Sequence, residues 1–157
     1  MRQRAIEVER KWLIENPPKL PRRKGAKITQ GYLVVSSEGI EVRVRRKDGK
    51  FFETIKTGTG LKRGEIEIEL SRKQFRSLWT ATQGRRLEKV RYTLKWQRRK
   101  IELDVYKKEL AGLKVAEVEF KSRKQASDFL PPPWFGKEIT NDDQYKNASL
   151  AERKLTT

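Results

Sequence analysis

The chain has 157 residues, 35% of them apolar and 38% charged, with six Phe, four Trp and four Tyr, which suits one domain with one hydrophobic core and is too aromatic for a disordered chain. It contains neither cysteine nor histidine, which excludes disulfide frameworks, thiolate or imidazole metal ligands, and serine or cysteine triads. Its 38 Lys and Arg against 21 acids give a formal charge of +17, which calls for an anionic partner: nucleic acid, an acidic membrane, or a small polyanion.

Eight stretches of β-forming residues between turn signals predict strands at about residues 5 to 14, 27 to 36, 39 to 47, 51 to 58, 64 to 70, 86 to 95, 98 to 107 and 113 to 121. Glu38-Gly39, Asp48-Gly49 and Ala111-Gly112 are short connections, so the sheet is expected to be largely antiparallel. Ser71 can cap a helix with Phe75, Leu78 and Trp79 on one face, Ser122 can cap a shorter one ending near Phe129, and a third is expected from about Asp142 to Leu155. Without an apolar leader or a run of ~18 apolar residues, a cytoplasmic location and no membrane partner are expected. The fold class expected is mainly β, an α+β arrangement in which eight antiparallel strands close into a barrel with a few flanking helices, because closure removes exposed edges. One domain is expected to span residues 1 to 157.

Alternation assigns every second strand residue to one face. Glu7, Glu9 and Lys11 oppose Val8, Trp12 and Ile14; Glu41, Arg43 and Arg45 oppose Ile40, Val42 and Val44; Glu65, Glu67 and Glu69 oppose Ile66, Ile68 and Leu70. Further on, Glu102, Asp104 and Tyr106 oppose Ile101, Leu103 and Val105, and Glu117, Glu119 and Lys121 oppose Val118 and Phe120. Thr54 with Lys56, and Lys89 with Arg91 and Thr93, complete the polar face. A single Glu-x-Glu is ordinary on a sheet wetted on one side. Here acids gather on the first, fifth, seventh and eighth strands and cations on the third, fourth and sixth, a clustering that repels unless a ligand neutralises it.

Arg43, Arg45, Lys56 and Arg91 suit phosphate, arginine bidentately and lysine as a point charge. Carboxylates beside them are explained by Mg²⁺ or Mn²⁺, hard ions that share carboxylate, water and phosphate oxygens in one shell. Glu7 and Glu9 stand about 7 Å apart along their strand, a spacing over which metal can be shared. Lys89 beside the cation Arg91 is favoured toward the neutral amine, so it either activates water or serves as one more substrate-neutralising cation.

Glu7-Val8-Glu9-Arg10-Lys11 resembles the opening of the CYTH superfamily, the triphosphate tunnel metalloenzymes. Gln30-Gly31-Tyr32-Leu33, Glu41-Val42-Arg43-Val44-Arg45, Thr54-Ile55-Lys56, Glu65-Ile66-Glu67, Glu88-Lys89-Val90-Arg91-Tyr92, Glu102-Leu103-Asp104-Val105 and Glu117-Val118-Glu119-Phe120 resemble its strand motifs in order. The tail, Pro133 to Thr140 and then Tyr145-Lys146-Asn147, is similar to that of compact bacterial members. The resemblance implies an inorganic triphosphatase that hydrolyses tripolyphosphate to pyrophosphate and phosphate; the sequence leaves monomer and homodimer both open. It implies Glu7, Glu9, Glu117 and Glu119 as metal-side acids, with Asp104 joining them and Glu65 and Glu67 as further tunnel acids. Lys11, Arg43, Arg45, Lys56 and Arg91 would grip phosphate, and Lys89 would be associated with water activation. Thiamine or nucleoside triphosphatases and adenylate cyclases of the same fold are alternatives, but Trp12, Trp79 and Trp96 fall on apolar faces rather than forming a clamp for a base. A binding module without turnover, for polyphosphate or nucleic acid, is the alternative of another class. Acids interleaved with the bases disfavour nucleic acid.

Overall fold

The computed structural model describes residues 2–4, 8–21, 25–58 and 63–152. Nine antiparallel strands are present among them: β1 (Arg2–Arg4), β2 (Val8–Leu13), β3 (Ala26–Val35), β4 (Glu41–Lys47), β5 (Lys50–Thr57), β6 (Gly64–Leu70), β7 (Arg86–Trp96), β8 (Arg99–Tyr106) and β9 (Lys114–Phe120). They form one sheet in the order β1-β6-β5-β4-β3-β7-β8-β9-β2. Eight strands were expected; the count rises because the N-terminal segment pairs twice, β1 with β6 and β2 with β9. The sheet order is open, with β1 and β2 at its two ends.

Local chemistry sets the connections. Asp48 and Gly49 both take positive φ, 48° and 81°, the backbone that a two-residue hairpin needs, and Gln97 and Arg98 do the same at 45° and 64°. Ser71 caps α1 (Arg72–Trp79) in a reciprocal box: its hydroxyl accepts from Gln74 N at 3.1 Å, and Gln74 Oε1 accepts from Ser71 N at 2.8 Å. Ser122 caps α2 (Arg123–Asp128) by accepting from Gln125 N. The C-terminal helix, α3 (Asn147–Glu152), is shorter than expected. Its predicted first turn is instead a 3-10 turn, Asp143–Tyr145, with the Asp142 carboxylate accepting from Gln144 N and Lys146 extended behind it. The predicted end at Leu155 lies outside the described residues.

α1 and α2 cover the apolar face of the sheet. α1 packs Phe75 against Val44, Phe51 and Leu70, and Gly31 admits the 3-10 turn Thr80–Thr82, because a β-carbon there would meet Thr82 Cβ at 2.6 Å. α2 and the chain after it cover Val8, Trp12, Ile101, Leu103, Val118 and Phe120. Trp12 is 2% exposed, with its ring centroid 4.8 Å from Phe135 and 5.7 Å from Phe129. Arg10 lies over the same ring and donates to Ala126 O at 2.7 Å and Glu138 Oε1 at 2.6 Å, which ties β2 to α2 and the C-terminal segment. Trp12→Ala is therefore expected to cost about 3–5 kcal/mol in denaturant unfolding, and Trp12→Phe markedly less.

The charged face changes character at one end. Two residues beyond Lys11, Gln30, Lys89, Asp104 and Glu117, the same side of each strand carries Leu13, Tyr32, Leu87, Tyr106 and Val115. These pack with Ile139 and with Ala148, Leu150 and Ala151 of α3, so the C-terminal segment seats on an apolar collar at the end of a polar surface. Among the described residues no helix is long and apolar enough to cross a membrane.

Candidate active site

Strand register assembles the charged rows. Glu67, Thr54, Arg43 and Tyr32 stand side by side on β6, β5, β4 and β3, and Glu65, Lys56 and Glu41 form the next row. On the other half of the sheet Lys11, Glu117 and Glu102 are neighbours on β2, β9 and β8, and Glu9 faces Glu119. Gln30, Arg43, Arg45, Thr54, Lys89 and Asp104 are all buried, so this polar surface is not a solvated one. Glu9, Lys11, Arg43, Lys56, Glu65 and Asn147 line a cavity of about 520 Å³, its mouth formed by the turn between β3 and β4 and by the segment from Ile139 to Ser149.

Three carboxylates meet at one side. Glu9, Glu117 and Glu119 each bring an oxygen within 4.8 Å of the others. Burial and the Glu117 charge raise Glu9 to about 8. Burial also opposes charge on Glu117, but Lys11, a hydrogen bond from Glu9, and Arg91 more than offset this and hold it well below the usual carboxylate range. The pair thus keeps one proton at neutral pH. Lys11 Nζ lies 3.4 Å from Glu9 Oε1; burial pulls its pKa down, but the two glutamates outweigh this and raise it. Oxygen donors that retain a proton for want of a counter-charge suit a hard divalent cation, and no imidazole or thiolate competes.

The cations are held by different partners. Lys89 Nζ donates to Asp104 Oδ2 at 2.7 Å, and Arg91 grips both oxygens of Asp104, at 2.7 and 2.8 Å. Arg91 also pairs with Glu102 and reaches Glu117 Oε2 at 3.5 Å. Burial, only partly opposed by Asp104, and then the charges of Arg91 and Arg45 bring Lys89 down to about 7. Asp104 goes the other way: burial resists its charge, but Lys89 and Arg91 prevail and lower it. Arg45 donates twice to Gln30 Oε1, whose amide donates to the Tyr32 hydroxyl at 2.9 Å. Burial and the neighbouring Arg43 and Arg91 lower Arg45 to about 9, which leaves it charged at neutral pH. Arg43 keeps one buried donor, Nε, with no hydrogen-bond partner among the described residues. A buried unpaired guanidinium donor is costly unless an anion takes it.

No family model matches the chain. It is 44% identical over 146 residues to the inorganic triphosphatase of Nitrosomonas europaea, covering 92% of this chain and 96% of that one. Identity to the inorganic triphosphatase of Acetivibrio thermocellus is 30% over 148 residues, covering 93% of each. The fold superposes on a crystal structure of an inorganic triphosphatase, 40% identical, with a TM-score of 0.73 over 96% of this chain and 97% of the other. The chain belongs to the CYTH superfamily, among its bacterial inorganic triphosphatases.

Of the residues that the CYTH motifs single out, Glu9, Glu117 and Glu119 converge, while Asp104 is taken up by Lys89 and Arg91. Glu7 lies outside the described residues. Lys11, Arg43, Lys56 and Glu65 line the cavity, whereas Arg45 and Lys89 lie behind it and Arg91 faces the acids. Glu67 accepts from Thr54 at 3.1 Å. The resemblance covers Gln30 and Tyr32 without giving them a role; here they orient Arg45, on a strand that carries Ile28 on the same face and so shows no charge pattern. Sequence reasoning missed Arg63. It bonds Gly58 O and Gly39 O and lies 3.5 Å from Glu41, joining two turns at the cavity mouth.

Proposed function

We propose that the chain hydrolyses inorganic tripolyphosphate to pyrophosphate and phosphate in the cytoplasm, with Mg²⁺ or Mn²⁺ as cofactor. The single observation that carries this reading is that buried Arg43, Arg45 and Lys89 share a sheet face with the half-buried Glu9 and Glu117 and the exposed Glu119, an arrangement suited to an anion and a cation together. The two named relatives support the substrate. In this reading the 157 residues form one domain. The sheet closes into a tunnel because its end strands belong to one N-terminal segment: Arg4 and Val8 are four residues apart, a reach of at most about 14 Å.

Glu9, Glu117 and Glu119, with Glu7 from the same sequence motif, would hold the divalent ion, which would supply charge neutralisation at the phosphate oxygens. Arg43 and Lys56 bind the phosphates opposite, Arg45 adds its charge from behind them, and Lys11 stands near the acids. Arg91, anchored by Asp104, offers phosphate the edge now turned toward Glu117. Glu65 and Glu67 balance the cations of the β4 and β5 rows. A water oxygen bonds to the terminal phosphorus, the bond from that phosphorus to the bridging oxygen breaks, and pyrophosphate leaves with the electron pair. Lys89 Nζ receives the proton that water loses. Pulled down to about 7, it is neutral in a substantial fraction of molecules near neutral pH.

Phosphate release from tripolyphosphate, ATP, thiamine triphosphate and pyrophosphate at matched concentration tests the substrate. Tripolyphosphate is expected to be preferred; equal or faster release from either organic triphosphate would contradict that choice. Metal uptake should also displace the proton on Glu9. Titration of the metal-stripped protein with Mn²⁺ at pH 7, in buffers of different ionisation enthalpy, is expected to release about one proton, falling toward none as the pH passes the Glu9 value of about 8. Release that does not vary with pH would argue against Glu9 as a ligand.

A further inference from the structure

We propose that Asn147 is a positioning residue: its side-chain oxygen, held by the Tyr106 hydroxyl, fixes the direction in which the Lys89 amine points. This rests on the reading that Lys89 receives the proton of the attacking water. The Lys89 side chain is fully buried, and three groups surround its nitrogen. Asp104 Oδ2 lies at 2.7 Å, the Tyr106 ring centre at 5.6 Å, and Asn147 Oδ1 at 3.5 Å. A lysine ends a flexible four-carbon stem. Held by Asp104 alone, its amine could swing about a single bond, whereas a second acceptor defines where its remaining position faces.

Asn147 is well placed to be that acceptor. The Tyr106 hydroxyl donates to the same Oδ1 at 2.6 Å, so the amide is fixed before Lys89 meets it. The Tyr106 hydroxyl and the Lys89 amine both present hydrogens to this side of the amide, which is therefore its oxygen. Asn147 is not a sheet residue. It is delivered by α3, whose Ala148, Leu150 and Ala151 are buried with Tyr32, Leu87 and Tyr106. It also lines the cavity, so one amide borders both the buried amine and the substrate space. Docking of the C-terminal helix thereby becomes part of the arrangement of the site.

The test measures kcat and KM on tripolyphosphate with Mn²⁺, and unfolding midpoints, for Asn147→Leu and Asn147→Asp, each alone and with Lys89→Ala. Asn147→Leu removes the acceptor at similar size and is expected to lower kcat about 10- to 100-fold, with KM changed less than about 2-fold, the scale of a small misplacement of a reacting group. Asn147→Asp keeps the acceptor but adds a negative charge that favours the charged amine, so it should recover most of the loss only at higher pH, with the rising limb moved upward. In the Lys89→Ala background Asn147→Leu should add nothing. Tyr106→Phe, which releases the amide, should reproduce part of the kcat loss and serves if Asn147→Leu does not fold. Equal losses with and without Lys89, a loss confined to KM, or no loss where Lys89→Ala is impaired would overturn the role of Asn147 alone. Wild-type turnover in Lys89→Ala would remove the reading of Lys89 and the inference with it.

Discussion

Glu117→Gln is expected to lower kcat/KM on tripolyphosphate by on the order of 10²–10³-fold, with the chain still folded and the affinity for Mn²⁺ sharply reduced. Glu117 is where the two halves of the site meet. It shares the proton of Glu9, lies in the carboxylate group with Glu119, faces Lys11 across the strands and reaches Arg91. Glutamine keeps the size and one acceptor, so packing changes little. What it removes is the charge. Glu9 then loses the carboxylate neighbour that, after burial, does most to raise its pKa, and it should ionise at lower pH. One acid replaces a pair that held a proton, so the proton released on metal uptake at pH 7 should shrink together with the affinity. Calorimetric titration with circular dichroism as the folding control reads both. Unchanged turnover with unchanged metal affinity would place the cation elsewhere.

Lys89→Ala carries the second large effect, a fall in kcat on the order of 10²–10⁴-fold, the range of a general base. The pH profile separates this role from simple charge neutralisation. Lys89 is lowered to about 7, so raising the pH through that value deprotonates it. A base acts in its neutral form, and the wild-type rate should therefore climb through pH 7 and level off. A phosphate-binding cation acts in its charged form and would give the opposite limb. The rising limb should be absent in Lys89→Ala, whose Asp104 keeps both bonds from Arg91 and stays satisfied. A wild-type rate that falls as pH rises past 7 would assign Lys89 to substrate binding.

Much of the fold was legible because alternation is strict in the strands that matter. Glu9 with Lys11, Arg43 with Arg45, and Glu117 with Glu119 each skip one residue; the skipped Val44 and Val118 face the core, and the skipped Arg10 lies over Trp12. Ser71 and Ser122 announced their helices through capping chemistry that needs only a few neighbouring residues. What was not legible depends on contacts between distant segments. Nothing local distinguishes Gln30 as the acceptor of Arg45, since that role is created by the register that sets Gln30 beside Arg45. Asp104 reads as another acid of a charged face, yet the pairing of β7 with β8 delivers Lys89 and Arg91 to it. Asn147 lies in a C-terminal segment whose polarity looks like surface, and only the docking of α3 on Tyr32, Leu87 and Tyr106 brings it to Lys89.

The most direct test is orthophosphate release from tripolyphosphate by metal-stripped protein, followed as Mg²⁺ or Mn²⁺ is added back. Acids and cations arranged to share one polyanion through a divalent ion predict no release in the stripped state and a rate that rises with metal to saturation. Full turnover in excess chelator, or none with either metal, would contradict it.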